Sequence, residues 1–190
     1  MPSERSGVPA LIREARAAIE LGNKGGAFLL LHRAEGMAPS PAAWREIGDA
    51  WHAAGNAAAG ATAHMRAARA SVRDPELAAV YEALRHNALD EAARLLDARL
   101  ASQPSDIAAI RMQAELAERL GRARDAEALY LRALGLAPDY EPARHNLVEC
   151  LHRQGRSVEA LAQIDRLLAD HPGQPAYSEL RADILAAMER

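Results

Sequence analysis

The spacing of helix breakers constrains this chain's fold more than any other feature. Pro104, Pro138 and Pro172 stand 34 residues apart, and Gly121 and Gly155 keep the same interval, seventeen residues ahead of Pro138 and Pro172. A fixed interval of that size implies a unit too short to bury its own apolar face. Stability must then come from stacking successive copies.

The residues between the breakers recur at helical intervals. Trp44, Ile47, Gly48 and Trp51 fall at i, i+3, i+4 and i+7, on one face, and Gly55 follows where that helix should stop. Ala126, Tyr130, Ala133 and Pro138 form the stripe of a second helix; Leu147, Leu151, Gly155, Ala160, Ile164, Leu167 and Pro172 repeat both halves. Two further units keep the phase. One runs through Leu11, Ala15, Gly22, Ala27, Leu31 and Pro39, the other through Val80, Ala83, Ala92, Leu96 and Pro104. Asn87 takes the glycine slot of the latter, and asparagine too tolerates the left-handed conformation at a helix end. Asp74 before Pro75, and Asp90 ahead of Glu-Ala-Ala, signal helix starts. No strand pattern competes.

In length and in slot residues the unit resembles the tetratricopeptide repeat, over nearly the whole chain. The resemblance implies an all-α, right-handed solenoid of about five antiparallel helix pairs, at 8–40, 41–72, 73–106, 107–140 and 141–174, with a last helix at 175–190 and a loose tail at 1–6. Residues 7–190 would form a single domain. The last helix carries Tyr177, Leu180, Ile184 and Met188 as one stripe, which suits a solvating cap or the first helix of a sixth pair. Gly48, Ala114, Ala126 and Ala160 are expected at close helix approaches, with Trp44, Trp51, Tyr130 and Ile164 filling the adjacent hollows.

In that family the first helix of each pair lines a concave groove that holds an extended peptide or a helix. Periodicity then selects the side chains offset from the packing stripe: Arg45, Asp49 and His52; Arg111, Glu115 and Arg119; His145, Asn146, Glu149, His152 and Arg153. The 73–106 unit adds Leu77, Tyr81, Leu84 and Arg85, an apolar patch between charged neighbours. Such a surface suits a protein segment anchored by one or two apolar side chains and steered by flanking charge. Two groove chemistries of the family do not transfer. A carboxylate clamp needs Lys and Asn where Arg45 with Asp49 and Arg111 with Glu115 stand, and an asparagine ladder fails at Glu46 and Met112.

Composition narrows the classes. A net charge of -3 and pI near 6.2 give no basic stripe for nucleic acid or anionic lipid, and the apolar run Ala27–Leu31 is far too short to span a bilayer. Cys150 is the one cysteine, so a reducing, cytoplasmic setting is the economical reading. No nucleotide or metalloprotease motif is present, and no cofactor or metal is expected. Gly22, Gly25 and Gly26 surround Lys24 without a preceding strand and read as a helix connection. His145, Glu149 and His152 share a helical face, where a polar groove wall is the plainer reading than a metal site.

The expected function is therefore protein or peptide binding by a scaffold without catalysis, self-association being a further use of the repeats. A narrower resemblance runs from Pro142 through His145-Asn146-Leu147, Leu151-His152-Arg153-Gln154-Gly155, Asp165-Arg166-Leu167-Leu168 and Pro175-Ala176-Tyr177. That stretch is similar to repeats preceding the catalytic domain of bacterial TPR-containing sulfotransferases. It implies an alternative role as the recruiting region of a larger transferase, since the Pro-Arg-Ser-Gly-Thr-Thr phosphate loop of such a domain is not in these residues.

Overall fold

The computed structural model describes residues 7–37 and 40–189. The expected tail at 1–6, the slot residue Pro39 and the terminal Arg190 lie outside them. The described residues form eleven α-helices and no strand, so the all-α reading holds. In chain order they are α1 (Val8–Glu20), α2 (Lys24–Glu35), α3 (Pro41–Ala53), α4 (Ala57–Ala70), α5 (Pro75–Arg85), α6 (Leu89–Ser102), α7 (Ile107–Arg119), α8 (Ala123–Leu136), α9 (Glu141–Arg153), α10 (Ser157–Asp170) and α11 (Pro175–Met188).

Local chemistry sets these boundaries. The side chains of Asn23, Ser40, Asn56, Asp74 and Asp106 each accept a hydrogen bond from a backbone N–H in the first turn of the following helix. Asp90 lies inside the first turn of α6, where its charge faces the positive end of the helix dipole. Every turn within a pair carries one residue of positive φ: Gly22, Gly55, Asn87, Gly121 or Gly155. At Gly55 the chain closes a paired 5→2 and 6→1 arrangement, Gly55 N–H to His52 C=O and Asn56 N–H to Trp51 C=O.

The apolar stripes make three clusters. Leu11, Ile12, Leu31, Ile47 and Trp51 fill the space among α1 to α4. Trp51 is fully buried, 4.9 Å from the Phe28 ring, and its Nε1 donates to Glu35. Leu77, Val80, Leu84 and Leu96 pack with Met112 and Leu116, and Tyr130, Leu147, Ile164 and Ile184 lie in the largest cluster. Trp44 is only partly covered, with the Arg66 guanidinium 4.7 Å above its ring.

Stacking runs from α1 and α2 onto α3, and again from α5 and α6 onto α7, from α7 and α8 onto α9, and from α10 onto α11. Between these two runs it is interrupted. Helix α5 does not stack on α3 and α4; instead α4 lies against α7 and α8, with Met65 and Ala68 on the cluster that holds Tyr140. Tyr81, Glu82 and Arg85 consequently stay exposed on α5. Four-residue links join α4 to α5, α6 to α7, α8 to α9 and α10 to α11 alike, so link length does not cause the break.

Candidate functional site

Helices α7, α9 and α11 enclose a cleft of about 660 Å³ lined by Arg111, Glu115, Glu118, Arg119, Asn146, Glu149, His152, Arg153 and Leu180. Seven of the residues singled out from the sequence thus meet in one place. The 3.6-residue period puts helix positions five, nine and twelve on one side, and these are Arg111, Glu115 and Glu118 on α7 and His145, Glu149 and His152 on α9.

The cleft wall is held by its own ion pairs. Glu115 takes Arg111 at 3.4 Å and Arg119 at 2.8 Å, while Arg119 also donates to the Leu84 carbonyl at 2.6 Å. Glu118 accepts from the Tyr130 hydroxyl at 3.1 Å and pairs with Arg153, and Asn146 donates to the Tyr130 oxygen at 3.4 Å. Burial pushes the Tyr130 hydroxyl well above its ordinary range, so it stays a donor to Glu118. The Nε of Arg111 and the Nδ1 of His152 are buried without a partner. Three arginines and three glutamates therefore nearly balance, with Leu180 as an apolar end wall.

Other expected groove residues lie elsewhere. Tyr81 and Arg85 sit exposed on α5, outside the cleft, where Arg85 pairs with Glu82 at 2.7 Å. Leu77 and Leu84 are core residues beneath α5, not an apolar groove patch, because α7 covers them. His145 stands outside the cleft lining, its ring 5.7 Å from that of Tyr177 on α11.

Arg45, Asp49 and His52 lie outside this cleft; His52 lines a separate pocket between α4 and the end of α8, and Asp49 a smaller one beside Pro104 and Ser105. Arg45 is 5% exposed, pairs with Asp106 at 3.3 Å and donates to Ser71. Asp49 accepts from the Ser105 hydroxyl at 2.8 Å, and His52 Nε2 lies 3.2 Å from the Leu136 carbonyl. This face of α3 thus meets the links before α5 and α7 and the end of α8. Asp106 also receives Arg99, which reaches Asp74 and Glu76 with its other nitrogens. Burial would lower the Arg99 pKa, but these three carboxylates raise it well above its ordinary value. His64 is fully buried beside them, stacked on His52 at 5.5 Å, 3.4 Å from Asp49 and with neither ring nitrogen hydrogen-bonded.

Glu118 and Leu180 are the two lining residues that the offset-face pattern does not select. Glu118 could have been found by stepping back 34 residues from His152. Leu180 belongs to the packing stripe of α11, and it serves both purposes as a half-buried residue against the core. Cys150 is buried, and desolvation first, then Glu118, raises its thiol to about 11, so it remains protonated at neutral pH. Among the described residues no three His, Cys, Asp or Glu side chains are placed to hold a metal ion, and no helix is long and apolar enough to cross a membrane.

Family models described as "Tetratricopeptide repeat" match residues 12–75 and 77–141 in one case and 117–184 in another. Solved structures of similar fold include a tetratricopeptide repeat protein from Parabacteroides merdae, at 16% identity and TM-score 0.54, covering 96% of this chain and 73% of that one. A chain of the APC/C hetero-tetramer Cut9–Hcn1 aligns at 13% identity and TM-score 0.55, over 99% of this chain but only 38% of its own length. The TPR2AB domain of yeast Sti1, solved in complex with pHSP90, aligns at 14% identity and TM-score 0.51, covering 95% and 86%. At these identities the likeness is one of fold. No curated protein matches the sequence. The resemblance to sulfotransferase repeats has no counterpart in these matches.

Proposed function

The chain belongs to the tetratricopeptide repeat family, and from that premise we propose that it is an interaction scaffold whose α7–α9–α11 cleft holds a segment of a partner protein. The carrying observation is the cleft itself, where seven side chains offset from the packing stripes converge on an open volume. Its wall supplies arginine donors and glutamate acceptors in alternation, and Leu180 supplies one apolar contact. A segment with both charge signs and one apolar anchor is the complementary ligand. Binding, not catalysis, suits a site whose nearest thiol is buried and protonated. The single buried cysteine fits a reducing compartment such as the cytoplasm.

Capture from the native host with wild-type chain, compared with Arg111→Glu plus Arg119→Glu, tests this reading. The double reversal leaves Glu115 facing two carboxylates instead of two guanidinium groups, so partners held by the cleft should be lost. Survival of every partner would overturn the assignment of the cleft.

A further inference from the structure

The α3 face repeats the cleft pattern, yet it is occupied from within. Arg45, Asp49 and His52 take the fifth, ninth and twelfth positions of α3, as Arg111, Glu115 and Glu118 do on α7. On α7 these residues look into an open cleft. On α3 each reaches the later repeats: Arg45 the Asp106 carboxylate, Asp49 the Ser105 hydroxyl, His52 the Leu136 carbonyl. The link 103–106 is therefore received as a polypeptide ligand would be, through a cation on a carboxylate and an acceptor on a hydroxyl, while the His52 ring nitrogen meets a backbone carbonyl at the end of α8 beside it.

We infer that the first two helix pairs bind this link as an internal ligand, and that its release exposes on α3 a second binding face for a partner segment carrying a Ser-Asp helix start. The occupant is specified by what already sits there. Asp106 is 1% exposed and caps α7 through the N–H groups of Ala108 and Ala109, so the face recognises a serine and an aspartate held at the first turn of a helix.

Three features make the contact releasable. The two runs of helices share no stacked pair at α4 and α5, and the joint is made by this polar network together with the contact of α4, including Met65 and Ala68, against α7 and α8. A cleft of about 510 Å³ already opens between α4 and the links 137–140 and 171–174, where Met65 and Ala68 face the carboxylates of Asp139, Glu141 and Asp170, with Arg69 and His171 also on its lining. Beneath the joint, His64 has no hydrogen-bond partner on either ring nitrogen, with Asp49, His52 and Arg45 from α3 and Asp106 from the link as the titratable and charged groups facing it. Burial depresses its basicity, so acid favours the state in which it is hydrated.

An internal ligand of this kind acts at an effective concentration on the order of mM, and outcompetes the same segment added in trans. The test is Met65→Asp together with Ala68→Asp, which sets two carboxylates against Asp139, Glu141 and Asp170 while leaving α3 and the link untouched. The probe is a synthetic peptide of residues 101–110, with a scrambled peptide as control. The variant should keep its helical circular dichroism, expand in small-angle scattering, and bind the peptide about tenfold or more tighter than wild type, a gain that Arg45→Glu abolishes. Unchanged scattering, or expansion with no preference for the peptide over its scramble, overturns the inference. Should the variant lose its helices, wild-type scattering at about pH 7.5 and about pH 5.5 decides, expansion at constant helicity supporting release and an unchanged profile refuting it. These outcomes are independent of the α7–α9–α11 cleft, whose arginines the variant does not touch.

Discussion

Helices α3 and α7 carry the same pattern, an arginine at the fifth position and an acid at the ninth, and the fold uses it in opposite ways. On α7 the next pair stacks in register, so Arg111 and Glu115 end up on the wall of an open cleft. On α3 the next pair does not stack, and Arg45 and Asp49 are consumed by the links of later repeats. The partner helices differ in parallel. Tyr130 on α8 fills its pocket and ties its hydroxyl to Glu118, while its counterpart His64 on α4 stacks on His52 and leaves both nitrogens orphaned. A surface residue's role in a repeat protein is thus decided by what the neighbouring repeat does, not by its own slot.

The two runs of helices should separate most clearly when Trp51 is removed. Emptying that site by Trp51→Ala should cost about 3–5 kcal/mol. Trp44 then remains as the one tryptophan and reports the first two pairs, while circular dichroism reports all helices. In a denaturant titration the fluorescence transition should move to lower denaturant and leave most of the dichroism behind. Two transitions moving together would mean that the joint couples the runs as tightly as stacking does.

Next in size is Gly48→Ala. A Cβ there would lie 2.8 Å from His64 Nε2, on a ring that is fully buried and stacked on His52, so one of them must shift. The expected loss is about 1–3 kcal/mol, by overpacking. At the matching slot α7 has Ala114, fully buried and accommodated, so the reverse change Ala114→Gly should cost only about 0.5–1 kcal/mol, through helix entropy. Equal losses in thermal unfolding would show that the imidazole pair does not dictate the glycine.

The two arginines make a smaller contrast. Arg45→Met removes a cation from a buried network but leaves Asp106 paired with Arg99 at 2.8 Å, so the cost should be about 1–2 kcal/mol. Arg111→Met, at a partly solvated cleft wall, should cost below about 1 kcal/mol while weakening capture of partners. The reverse ranking in chemical denaturation would put the structural arginine in the cleft.

The helices were legible because their signals are local: breaker spacing, caps and the 3.6-residue stripe each lie within a few residues. The α7–α9 wall was legible for a related reason, since one repeat predicts the next wherever stacking is regular. Arg45, Asp49 and His52 stand apart from that wall because the interruption at α5 depends on contacts between α4 and α8, far apart in sequence. One local hint exists. The slot of Pro104, Pro138 and Pro172 falls on Val72 in the second unit, and Val72 is exposed. Leu77 and Leu84 differ from the expectation for another reason: they are buried alongside the stripe residues Val80 and Ala83, so the packed face of α5 is wider than the stripe alone.

The smallest effect separates the runs by pH. Burial, opposed only in part by Asp49, lowers the His64 pKa from its ordinary 6.5, so the folded state holds the ring neutral where the unfolded chain protonates it. Below about pH 6.5 the unfolded state binds more protons, and stability falls as pH falls, by at most about 1.4 kcal/mol per pH unit. Above that pH the ring is neutral in both states and contributes no slope. Tyr130, the matching group on α8, is pushed upward by burial and does not titrate in this window. The Trp44-reported transition should therefore weaken on acidification between about pH 6.5 and pH 5 while the later repeats stay level, and His64→Leu should flatten that slope. A slope that persists in His64→Leu would assign the acid sensitivity to another group of the first two pairs, and one shared by both runs would remove the electrostatic distinction between α4 and α8.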